Sequence, residues 1–91
     1  MQAHADYREI RDFAYYLQRF TSDLGDNVRA LNGEFHKLCD TWDDDQTRSF
    51  ENTLKDLEVF LKRFNAEADE QARWLHEEAN ILEEYANKRN R

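Results

Sequence analysis

The chain has no proline, only two glycines and a single cysteine among its 91 residues. Because proline and glycine are the residues that most often interrupt helices, their scarcity favours long amphipathic helices. Cys39 has no partner for an internal disulfide, and no paired Cys and His spacing indicates a zinc site. These absences exclude a disulfide framework and a zinc module.

Long apolar runs are also missing. No stretch approaches the roughly 20 apolar residues that cross a bilayer, so we expect a soluble protein. The first residues do not combine a basic start with an apolar segment, as a cleavable signal peptide would. We therefore expect a protein that is cytoplasmic or is secreted without a leader.

The usual motifs of catalysis are absent as well. There is no Ser, His and acid grouping, no glycine-rich phosphate loop and no HExxH spacing. His36, Cys39 and Asp40 fall within about one helical turn, but a third spaced set of metal ligands is missing, and a solvated helix surface explains them. We expect neither enzyme activity nor a bound metal or cofactor.

The residues that are present are charged and aromatic. The net charge of −7 repels phosphate groups, which argues against binding to nucleic acid or to an anionic membrane. Aromatic residues make up 13% of the chain and recur at regular intervals, which indicates that apolar surface is buried in a folded domain.

Two segments show helical spacing of apolar residues. The first predicts a helix over about residues 5–40, through apolar positions that step by threes and fours, namely Tyr7, Ile10, Phe13, Leu17, Phe20, Leu24, Val28, Leu31, Phe35 and Leu38. The second predicts a helix over about residues 46–88, with a heptad series at Leu54, Leu61, Ala68, Leu75 and Leu82 and a partner series at Phe50, Leu57, Phe64 and Tyr85.

Between the two segments, residues 41–45 predict a turn because short polar side chains replace the apolar pattern. Asp43 with Gln46 three residues later fits a capping box for the second helix. The whole chain, residues 1–91, is thus predicted to be one all-α domain, an antiparallel two-helix hairpin.

Some large apolar residues lie outside the series that join the helices. Phe60, Trp74 and Ile81 share one register of the second helix, and Tyr16 extends the corresponding face of the first. Wide faces could simply wrap an irregular two-helix seam. We instead expect a dimer interface at these four residues, where a second hairpin completes a four-helix bundle. Whether that partner is a second copy or a different protein stays open.

The turn carries a further pattern. Trp42-Asp43-Asp44 is followed by Phe50 and a leucine series, and in this arrangement nearly the whole chain resembles the WXG-motif family, small helical hairpins of type VII secretion related to the early secreted antigenic target. In that family a Trp-X-Gly turn joins two antiparallel helices. The resemblance implies a homodimer or heterodimer and a turn motif of Trp42, Asp44 and Phe50, with the Trp turn as a contact point for the partner or the secretion machinery. From the residues alone, Trp42 equally fits a core residue at the end of the hairpin, one helical step beyond Leu38.

Two positions depart from the family pattern. Asp44 stands in place of the glycine, where an Asp can tolerate a left-handed backbone or cap a helix. Arg89 stands four residues after Tyr85, where the family's export signal has an acidic residue. The sequence therefore predicts a non-enzymatic protein–protein interaction module resembling type VII secretion proteins. The alternative is a structural bundle subunit of a larger assembly unrelated to secretion.

Overall fold

A computed structural model describes residues 6–89, with the side chain of Arg89 left out. The fold is all-α, a helical hairpin in which α1 (Tyr7–Cys39) and α2 (Asp45–Arg89) are joined by a short turn. Helix α1 ends one residue before the predicted limit, and its predicted start near residue 5 lies outside the described residues. Over the described part of the chain, neither helix has an apolar stretch suited to crossing a membrane.

The residue that caps α2 is Asp44, one position after the predicted cap Asp43. Asp44 Oδ1 accepts hydrogen bonds from the backbone N–H groups of Gln46 and Thr47, at 2.8 and 3.1 Å. In return, the buried Thr47 hydroxyl accepts the Asp44 N–H and donates to the Asp44 carbonyl. The predicted Asp43 and Gln46 capping box is therefore wrong, because Asp44 and Thr47 satisfy the free backbone groups of the first turn.

The helices form two compact units. The terminal unit comprises residues 6–20 and 67–89 of the described chain, and the turn unit comprises Thr21–Ala66. In each unit a segment of α1 packs against a segment of α2. In the terminal unit the segments are antiparallel, because Arg11 contacts Glu83 whereas Gln18, further along α1, contacts His76.

The seam of the terminal unit is built on alanine. Ala14, Ala72 and Ala79 have no exposed surface, and Ala68 is also buried. Alanine lets two helix backbones approach closely. The other seam positions of this unit are half-buried, namely Tyr7, Ile10, Leu17, Leu75, Leu82 and Ala86. No large side chain is completely buried in the described residues. The seam is consequently narrow and holds few of the aromatic residues.

The predicted apolar series coincide with the seam only in part. In α1, Phe35 is buried as predicted, and other members of the series are half-buried, namely Ile10, Leu17, Leu24 and Val28. The expected members Phe13, Phe20, Leu31 and Leu38 are exposed, and Ala14 and Thr21 are buried instead. In α2, Leu54, Leu61 and Ala68 are buried as expected, whereas Phe50, Leu57 and Tyr85 are exposed. Where the backbones approach closely, a small residue such as Ala14 occupies the seam, and its large neighbour, here Phe13, remains exposed beside it.

Candidate interaction surfaces

One side of the terminal unit is polar. Here several residues of α1 that directly follow seam positions reach towards α2. Arg11 donates hydrogen bonds to Asn80 and Glu83, at 2.9 and 2.7 Å. His76 Nε2 lies 3.2 Å from Gln18 Oε1, and its ring meets the Tyr15 ring edge to face, with centroids 4.6 Å apart. We call this the polar side of the terminal unit, comprising Arg11, Tyr15, Gln18, His76, Asn80 and Glu83.

The opposite side of the same unit is apolar. Successive helical residues are rotated by about 100°, so residues just before the seam positions lie across the seam from those just after them. In both helices the preceding residues are mostly large and apolar, and they are 47% to 62% exposed. We call them the apolar face of the terminal unit, comprising Phe13, Tyr16, Phe20, Trp74, Ile81 and Tyr85.

Three of the four residues predicted for a dimer interface belong to this face. Tyr16, Trp74 and Ile81 are all more than half exposed there. The fourth, Phe60, belongs to the turn unit, where it is exposed and stacks on Phe64 at 6.4 Å between centroids. The predicted dimer interface does not include Phe13, Phe20 and Tyr85, which the apolar series assign to the contact between the two helices. Their position immediately before Ala14, Thr21 and Ala86 is the signal that identifies them, once those small residues are assigned to the seam.

The turn unit has the same division into two sides. On one side, Asn32 donates a hydrogen bond to Glu58, and Lys55 forms an ion pair with Glu51. On the other side, Leu31, Leu38 and Phe60 each precede a buried or half-buried position, and Phe50 and Leu57 are further exposed apolar residues of this unit. An apolar surface is thus left uncovered in this unit too.

At the turn, this apolar surface forms an open cavity of about 260 Å³ lined by Phe35, Leu38, Trp42, Gln46, Thr47 and Phe50. Phe50 packs on the buried Phe35 ring, with centroids 5.3 Å apart. The Trp42 indole is 46% exposed and donates a hydrogen bond from Nε1 to Asp44 Oδ2 at 2.7 Å. The three residues of the predicted turn motif therefore adjoin one another, through Thr47 and this cavity.

The hydrogen bonds that the Asp44 carboxylate accepts at the turn lower its pKa. The Thr47 backbone N–H lowers the pKa of the Asp44 carboxyl most, with further lowering by the Trp42 indole and the Gln46 N–H, against a smaller rise from burial. No residue with a side chain has a left-handed backbone in the described chain. Asp44 is thus a helix cap and not a left-handed turn residue.

The turn region also holds Cys39 and, one helical turn before it, His36. Burial, aided by the carboxylates of Glu51, Asp43 and Asp40, raises the pKa of the Cys39 thiol, which keeps it in its unreactive protonated form. The His36 ring donates from Nδ1 to the Asn32 carbonyl at 2.7 Å. Among residues 6–89, no group of three or more His, Cys, Asp or Glu side chains is arranged to hold a metal ion.

Comparison of the chain with models of protein families and with curated proteins found no match to either.

Proposed function

We propose that this protein is a non-enzymatic interaction module that binds another helical protein, through the apolar face of the terminal unit. The observation that carries the proposal is the exposure of six large apolar side chains on one side of an alanine seam. The two helices cannot cover these side chains themselves, because the seam is only wide enough for alanine at its centre.

The size of the face supports a partner. Large aromatic side chains present about 150 to 250 Å² each, so six residues about half exposed leave on the order of 600 Å² open. This is the upper end of what monomers expose, about 300 to 600 Å². It also approaches the roughly 800 Å² that each partner contributes to a standard interface. A second helical hairpin that lies along this face would form a four-helix bundle with it.

A role linked to type VII secretion is the more specific form of this proposal. It is supported by the resemblance to the WXG-motif family and by Trp42, which is held by the α2 cap at the edge of an open apolar cavity. In this form, Trp42 and Phe50 offer a second contact for a partner or for secretion machinery. The alternative is a structural subunit of a helical assembly with no connection to secretion, and co-purification with a secretion ATPase would separate the two.

The proposal is tested by the mass of the chain in solution, alone and with candidate partners, measured by sedimentation equilibrium. Trp74→Ala should weaken association strongly, because Trp74 lies in the apolar face. Tyr15→Ala is the matched control, since Tyr15 is 55% exposed and Trp74 is 54% exposed but Tyr15 lies on the polar side. Equal association of the two variants, with helical content preserved, would refute the assignment of this face.

A further inference from the structure

Three arginines of the terminal unit lie on its polar side, and three glutamates lie beside its apolar face. Arg8, Arg11 and Arg73 each directly follow a seam position, which places them on the polar side. Glu9, Glu67 and Glu78 each directly precede a seam position, which places them beside the apolar face. The aromatic residues of this face are thus bordered by three carboxylates, with Lys88, three residues after Tyr85, as a cation at the end of α2.

These three carboxylates are available to a partner. The ion pairs of the terminal unit join Arg8 to Asp6 and Arg11 to Glu83, and none of the described cations pairs with Glu9, Glu67 or Glu78. Glu78 is only partly exposed, since it lies between the seam and the exposed side chains of Trp74 and Ile81. A helix covering this face would desolvate Glu78, and an unpaired buried charge is strongly unfavourable.

The three carboxylates restrict the charge of a helical protein that can cover the apolar face. A second copy placed face to face would bring six carboxylates together with no arginine of this unit between them, and like charges at an interface disfavour association. A partner with lysine or arginine beside its own apolar residues would neutralise the carboxylates as it covers the aromatic side chains.

Building on the proposed function, we infer that the occupant of the apolar face is a different chain, an amphipathic helical partner whose apolar stripe is flanked by lysine or arginine. The aromatic side chains supply most of the contact area. Glu9, Glu67 and Glu78 select the sign of the partner's charge.

The inference can be tested with two synthetic helical hairpins that share one Leu and Ile face and differ only in the flanking residues, which are all Lys in one and all Glu in the other. Binding of each dye-labelled hairpin to the full chain is followed by fluorescence anisotropy at about 0.05 M and about 0.5 M salt, because screening weakens charge pairing. The Lys hairpin should bind at least about tenfold more tightly than the Glu hairpin at low salt, and the preference should shrink at high salt.

Substitutions separate a local effect from the overall negative charge of the chain. Glu78→Gln should lower the preference for the Lys hairpin by about two- to fivefold, the range of a partly exposed ion pair. Glu77→Gln changes the net charge equally, but Glu77 lies two positions before Ala79, on the outer surface of α2, so its effect should be clearly smaller. Trp74→Ala should weaken binding of the Lys hairpin at both salt concentrations, with unchanged circular dichroism showing that the helices are intact.

The outcomes distinguish this inference from the function on which it rests. Equal binding of the two hairpins, still lost in Trp74→Ala, would overturn the inference and leave the interaction module standing. A homodimer that persists at low salt and dissociates in Trp74→Ala would also overturn the inference and leave the interaction module standing, because the occupant of the apolar face would then be a second copy. Binding of neither hairpin by a chain that stays monomeric, with Trp74→Ala indistinguishable from wild type, would overturn both.

Discussion

Replacing Ala79 with leucine tests the packing that leaves the aromatic residues exposed. Ala79 has no exposed surface and lies in the seam of the terminal unit with Ala14 and Ala72. The larger side chain can be accommodated only if the helices separate or neighbouring side chains leave their preferred rotamers. Overpacking of this kind costs about 1 to 3 kcal/mol, which corresponds to a fall of roughly 4 to 20 °C in the melting temperature of a domain of this size.

Urea unfolding followed by circular dichroism measures this cost directly. Ala66→Leu is the matched control, because Ala66 is an exposed alanine of the same helix and Leu has nearly the same helix propensity as Ala. The control should change the free energy of unfolding by no more than about 0.5 kcal/mol. If Ala79→Leu were as stable as the control, the helices would not meet through a close alanine seam, and the reason given for the exposed face would fail.

Three further substitutions test the turn and α1. Thr47→Val should lower the free energy of unfolding by about 1 to 3 kcal/mol, because it leaves the half-buried Asp44 N–H without a partner. The exposed Thr53→Val should have little effect, and equal unfolding midpoints in urea would contradict the cap. Since the folded-state pKa of Asp44 is lowered, its contribution is present above the ordinary carboxyl value near 3.8 and is lost as the pH falls through the lower folded value. Asp44→Asn should therefore show a shallower loss of stability in acid than wild type, and parallel pH profiles would refute this. Gly33→Ala should raise the melting temperature, with a gain of about 0.5 to 1 kcal/mol, because a Cβ at Gly33 meets no neighbouring atom; a lower melting temperature would show that this segment is not a regular helix.

The sequence predicts the two helices and the turn well, because apolar spacing and polar turn residues are local signals. It does not predict which neighbour of a pair enters the seam. Phe13 and Ala14 both fit helical spacing relative to Leu17, and a scale of hydrophobicity favours Phe13. Tertiary packing favours Ala14, because only the small side chain fits where the backbones approach. That choice depends on the distance between the helices, which local spacing does not contain.

The residues of the apolar face could be predicted from the sequence only in part, for the same physical reason. Trp74 and Ile81 could be assigned outside the seam from their register alone, and the structure leaves both exposed. Phe20 and Tyr85 could not, since each had been used to build the predicted seam. The capping error at Asp43 has a similar cause. Asp43 and Asp44 are chemically equivalent caps, and the buried Thr47 hydroxyl selects Asp44.

The central claim is that the hairpin by itself leaves Trp74 open and that a helical partner covers it. The most direct test is acrylamide quenching of Trp74 fluorescence in a Trp42→Phe variant, whose only tryptophan is Trp74. In samples that sediment as monomers, Trp74 should be readily quenched, and saturation with the Lys-flanked hairpin should protect it and shift its emission to the blue. Protection of Trp74 already in the monomer, with no change when the hairpin is added, would contradict the account.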